Sequence, residues 1–116
     1  MESPLLKQVV PAENFFSTDI RVGCITSVEE FPEARRPAYK IKADFGAAGI
    51  LQTSAQVTNY SPDELTGRAI VGVVNLGKKR IAGFVSEFLL LGSYDADGVV
   101  HLLSPAPEAV PGDAVG

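Results

Sequence analysis

Seven cations in two short windows are the residues best placed to do chemistry in this 116-residue chain. Arg35, Arg36, Lys40 and Lys42 form the first group, and Lys78, Lys79 and Arg80 the second; neither window holds an acid. Clustered ammonium and guanidinium groups repel one another, and a phosphate backbone relieves that repulsion. The overall balance points the other way, since ten basic against fourteen acidic residues leave a net charge of −4. The local field outweighs the sum, because charges are screened beyond ~8 Å at physiological salt. Groups able to reach sugars or base edges accompany the cations: Gln52, Ser54 and Gln56 in one segment, then Asn75 and Ser86.

Other chemistries find little material. Cys24 is the single cysteine, which excludes an intramolecular disulfide and a thiolate metal cage. It reads as an inert filler of a core gap. His101 is the single histidine and stands in an apolar run with no evident acid partner. Ser86 has no histidine near it in sequence, so a serine hydrolase is unsupported. Gly72 to Lys78 has the spacing of a phosphate loop, but Lys79 stands where a magnesium-binding hydroxyl is needed. We therefore expect no enzyme activity, no metal and no cofactor.

The elements that must carry these residues are mostly strands. Ile20, Val22, Cys24 and Val28 share one parity, which reads as a long strand bent at Gly23. A proline-bracketed loop, Phe31 to Pro37, follows. Tyr39, Ile41, Ala43 and Phe45 then alternate with Lys40, Lys42 and Asp44, so the two lysines stand together on the solvent face. Ile50 to Val57 puts Gln52, Ser54 and Gln56 on one face of the next strand. Ser61, Pro62 and Glu64 form a capping box for one short helix, with Gly67 to end it. Ala69 to Val74, Phe88 to Leu91 and Val99 to Leu103 read as further strands, and Lys78 to Arg80 as a loop. The tail from Ser104 reads as an irregular strap. A helix between strands three and four of a small closed barrel is the OB-fold arrangement, an all-β class.

Size fits one domain. We divide it into an N-terminal extension, 1–18, and a barrel with its strap, 19–116. The longest strongly apolar run, Phe88 to Leu91, is too short to cross a bilayer, and the chain opens on an acid and a proline rather than a basic, apolar leader. The expectation is a soluble cytoplasmic protein without membrane insertion.

Several segments together resemble the family of tRNA-binding OB-fold domains. They are Asp19 to Gly23, Phe31 to Arg35, Tyr60 to Arg68, and Val74-Asn75-Leu76 running into Lys78 to Phe84. Such domains are fused to several aminoacyl-tRNA synthetases and also occur as free-standing dimers. Within the family the chain looks most like the stand-alone CsaA branch, described as export-related chaperones, through Ser54-Ala55-Gln56 and Arg80 to Glu87. The synthetase-linked branch usually continues Ser-x-Gly-Met, whereas Phe88-Leu89 follows Ser86-Glu87 here. The resemblance implies tRNA as a partner and a homodimer joined by the segments before Asp19 and after Ser104, which suits the apolar Leu5, Leu6, Val9 and Val10. On this reading the seven cations hold phosphates, while Gln52, Ser54, Gln56, Asn75 and Ser86 meet sugars and bases. The alternative is capture of unfolded preproteins or signal peptides in an apolar groove formed by Phe15, Phe16, Phe84 and Phe88 with the same basic rim.

Overall fold

A computed structural model describes residues 6–116 of the chain. Ten strands organise it: β1 (Ile20–Glu30), β2 (Tyr39–Asp44), β3 (Ile50–Ala55), β4 (Ala69–Val73), β5 (Lys79–Ile81), β6 (Phe84–Ser86), β7 (Leu89–Leu90), β8 (Gly92–Tyr94), β9 (Val100–Leu102) and β10 (Ala114–Val115). Helix α1 (Ala12–Phe16) precedes them and helix α2 (Pro62–Leu65) lies between β3 and β4. The main sheet runs β3-β2-β1-β4-β7, entirely antiparallel, with β10 added beside the start of β1. This is the nearly closed five-stranded OB barrel that the position of α2 announces.

The long strand β1 serves two neighbours in turn. Its first half pairs with β4 and its second half with β2. A register shift between Ile25 and Ser27 turns the strand as it changes partner. The bulge also corrects the inferred parity. Ile25 and Val28 both join the main core, while Ile20 packs on the outer side with Val71 and Val73. Cys24 is half-buried rather than a core filler. Strand β4 is apolar throughout because both faces are covered: Ile70 points into the barrel and Val71 and Val73 into the outer cluster.

Phe45 fills the barrel centre. It is fully buried and meets Phe88 edge-on, with ring centroids 4.9 Å apart. Two glycines make room for it. A Cβ on Gly23 would fall 2.7 Å from the Phe45 ring, and one on Gly72 would fall 3.0 Å from Phe88 and 3.1 Å from Phe45. Gly23 is thus a packing requirement of the core, not merely a bend.

The barrel closes between β3 and the β6–β7 segment without a ladder. Only one backbone bond crosses this seam, from the Glu87 N–H to the Gln52 carbonyl at 2.8 Å. Side chains supply the rest. The Thr53 hydroxyl donates to the Phe88 carbonyl at 2.7 Å. The Gln52 amide Nε2 donates to the Val85 carbonyl at 2.8 Å, and the Gln52 backbone N–H to Glu87 Oε1 at 3.1 Å. Ser86 Oγ accepts from the Ser54 N–H at 3.1 Å.

The capping box of α2 is complete, with Glu64 N–H donating to Ser61 Oγ and Ser61 N–H to Glu64 Oε1. Such a cap is worth about 1 kcal/mol. The tail is more ordered than a strap: Ala114 and Val115 add a short strand to β1. At the other terminus, Leu6, Val9, Val10 and Phe16 are exposed. Leu5, grouped with them from the sequence, lies outside the described residues.

Candidate functional site

Strand order sets how the basic windows lie relative to one another. Moving across the surface, β1 is followed by β2, then β3, then the β5–β6 hairpin that docks on β3. Strand alternation leaves Lys42 exposed and Lys40 half-buried on the outer face of β2, between fully buried neighbours. The register sets Lys40 opposite Ser54 and Lys42 opposite Gln52. Arg35 and Arg36 are exposed on the loop from β1 to β2, where Arg35 lines a hollow of about 310 Å³.

The second window is a loop only at Lys78. Lys79 and Arg80 belong to β5, which turns through Ala82 and Gly83 into β6. Both turn residues have positive φ, 48° and 81°, the backbone of a tight two-residue hairpin. Alanine is not among the residues that favour the first position of such a turn, so Gly83 is the one local sign of the hairpin. Lys78, Lys79 and Arg80 are exposed, and Arg80 also donates to the Gly83 carbonyl. Among the described residues, none of the seven cations lies within 4.0 Å of a carboxylate. The one basic side chain paired with a carboxylate besides His101 is Arg21, whose Nε meets Asp19 at 2.6 Å. That hydrogen bond and charge hold its guanidinium above the ordinary range.

Several polar candidates are occupied by the fold. Gln52 and Ser86 hold the closing seam, and Ser54 Oγ lies 3.4 Å from Ser86 Oγ. Asn75 bridges the chain ends of two elements: its Oδ1 accepts from Asp19 N–H at 2.7 Å and its Nδ2 donates to the Ser17 carbonyl at 2.9 Å. Both ends of that amide are engaged, which makes it a clamp between α1 and β4. Gln56, expected on the same strand face as Gln52 and Ser54, lies just past the end of β3 and is exposed. His101 does have an acid partner, since its Nε2 lies 3.0 Å from Asp95 Oδ2. That hydrogen bond, with those from Val99 and Asp97 N–H, holds the Asp95 carboxyl below its ordinary range.

The four phenylalanines do not form one groove. Phe88 is 4% exposed inside the barrel, so it offers no surface to a peptide. Phe15 and Phe16 pack edge-on at 5.3 Å on the exposed α1. Phe84 sits instead on the basic face. Its ring is 5.5 Å from that of Phe31, and Lys40 Nζ stands 4.9 Å from the Phe31 centroid and 5.5 Å from that of Phe84. A shallow pocket of about 210 Å³ opens there, lined by Ser27, Glu29, Lys40, Lys42, Gln52 and Phe84. Glu29 was not visible as part of the site in sequence; the β1–β2 register sets it opposite Lys40.

An OB barrel carrying two sets of cations with no ion-pair partner within 4.0 Å is a module suited to a polyanion. The chain belongs to the family described as "Putative tRNA binding domain", whose model matches residues 20–114. The crystal structure of the CsaA chaperone protein from Picrophilus torridus is 46% identical, with a TM-score of 0.88 over 93% of this chain and 100% of that one. The CsaA chaperone from Bacillus anthracis is 44% identical, with a TM-score of 0.89 over 94% and 100%. The methionine–tRNA ligase of Porphyromonas gingivalis is 34% identical over 89% of this chain, which spans only 15% of that enzyme's length. The match therefore concerns the tRNA-binding portion of such ligases. No helix among the described residues is long and apolar enough to cross a membrane.

Proposed function

We propose that this protein binds structured RNA of the tRNA class through the face formed by β2, β3 and the β5–β6 hairpin. The supporting observation is that Lys40 and Lys42 on β2 are linked through β3 and β6 to the β5 edge that carries Lys79 and Arg80, with Lys78 just before it, and that no carboxylate lies within ion-pair distance of any of them. Arg35 and Arg36 extend the face along the adjoining loop. Such a face holds phosphates by charge and reads a folded RNA by shape. The test is tRNA binding across a salt series. Five phosphate contacts give a log–log slope of roughly −4. The triple variant K78E/K79E/R80E is expected to abolish binding; unchanged binding would refute this placement.

The protein works as a homodimer on this reading. Leu6 is 96% exposed, Val9 99% and Phe16 73%, and a second copy would cover such surface. Sedimentation of V9D/F16D is expected to give a monomer. A second reading, capture of unfolded preproteins or signal peptides before export, is favoured by the same apolar stretch and by the likeness to CsaA chaperones. Capture of an unfolded chain that survives K78E/K79E/R80E would support it.

A further inference from the structure

A carboxylate in the middle of a phosphate-binding face needs a reason. Glu29 lies on the outer face of β1, directly opposite Lys40, and lines the same pocket as Lys42, Gln52 and Phe84. Toward a phosphate backbone it only repels. Toward a base it is an acceptor with no donor, so it suits two adjacent N–H groups. The pocket also has an aromatic wall. Phe84 is half-buried, lines the pocket, and packs at a tilt against the buried Phe31 with ring centroids 5.5 Å apart. Single-stranded RNA is commonly held by stacking bases on such rings.

We infer that this pocket takes one unpaired guanine of the bound RNA, stacked on Phe84 with its Watson–Crick edge on Glu29. Guanine presents N1–H and the N2 amino group side by side, which two carboxylate oxygens accept together. Adenine and uracil each present an acceptor next to their donor and place a lone pair against the carboxylate. Lys40 completes the site. In the free protein its ammonium stands over the Phe31–Phe84 pair. A phosphate entering with the nucleotide is a stronger partner for a cation than an exposed ring. The ammonium swings to the phosphate and the ring face is freed for the base. This inference rests on the RNA reading above and adds base selection to it.

The experiment uses an RNA hairpin with one unpaired loop nucleotide, made as the G, A, C and U forms, bound to the full-length protein. The G form is expected to bind about tenfold tighter than the A form, the scale of one good two-bond base contact. E29Q is expected to remove that preference, and F84L, which keeps the apolar bulk but lacks a π face, to weaken the G form about tenfold. Equal affinity for all four forms would overturn the inference. So would an E29Q protein that binds every form more tightly with its ranking intact, since that is simple relief of repulsion. If K78E/K79E/R80E abolishes binding while E29Q and F84L match the wild type, the base pocket falls and the RNA face stands. If the wild type binds no hairpin and no tRNA, both fall.

Discussion

Replacing Gly23 with alanine should destabilise the protein by about 2 kcal/mol, within the range for forcing one carbon into a packed core. The new Cβ would lie 2.7 Å from Phe45 Cε1. Carbon atoms rest at ~3.5 Å or more, so the ring would have to retreat by roughly 0.8 Å. It has nowhere to go. Phe45 is fully buried, and Phe88 abuts it edge-on at a 4.9 Å centroid distance. An unfolding entropy of about 2.1 cal/mol/K per residue makes each kcal/mol worth about 4 °C for a chain of this length. G23A should then melt about 8 °C lower at matched protein concentration, measured by circular dichroism or calorimetry. Combining it with F45L separates crowding from other causes. The double variant should lose less than the two single losses added together, because the smaller side chain vacates the space the Cβ needs. A G23A protein within 0.5 kcal/mol of wild type, or strict additivity with F45L, would refute the claim that this glycine exists for Phe45.

Two further outcomes follow from the hydrogen bonds. T53V keeps the volume of a 3% exposed side chain but strands the Phe88 carbonyl, so it should lower the urea midpoint by the equivalent of about 1–3 kcal/mol while T53S stays near wild type. The Asp95 carboxyl is held below its ordinary range by His101 first and then by the Val99 N–H. A depressed folded value means the stabilisation is present above the ordinary carboxylate pKa of about 4 and is lost as pH falls through the depressed one. Amide-exchange protection in β8–β9 should accordingly be flat near neutrality and drop only under strong acid. D95N should abolish that drop, and a loss of protection already at pH 6 would contradict this account.

The barrel was legible in the sequence wherever one face of a strand is wet. Lys40 and Lys42 against Tyr39, Ile41 and Ala43 gave β2 and its outer face directly, and the Ser61–Glu64 box gave α2. Parity misled in β1, where the bulge after Ile25 shifts which residues turn inward; a Thr in a strand carries no mark of a bulge. The cations were legible as clusters, but not the strand order that joins them. The polar partners were harder. Gln52, Ser86 and Asn75 are chemically able to meet RNA, yet the fold needs their hydrogen bonds for its seam and its N-terminal clamp. Glu29, and the place of Phe84 beside Lys40 rather than in a groove with Phe15, Phe16 and Phe88, were hidden for the opposite reason, since only the packing of strands distant in sequence sets an acid and a ring beside Lys40.

The seam between β3 and the β6–β7 segment has one more consequence. Backbone ladders are built of interchangeable rungs, so two strands slid by two residues find an equivalent set of bonds. The rungs here are unlike one another: a hydroxyl to the Phe88 carbonyl, a carboxamide to the Val85 carbonyl, and a serine oxygen taking an N–H. A slide in either direction satisfies none of them. The seam therefore works as a lock with a single key position, and the circumference of the barrel is set there, by the side chains of Gln52, Thr53, Ser86 and Glu87, rather than along the rest of the sheet.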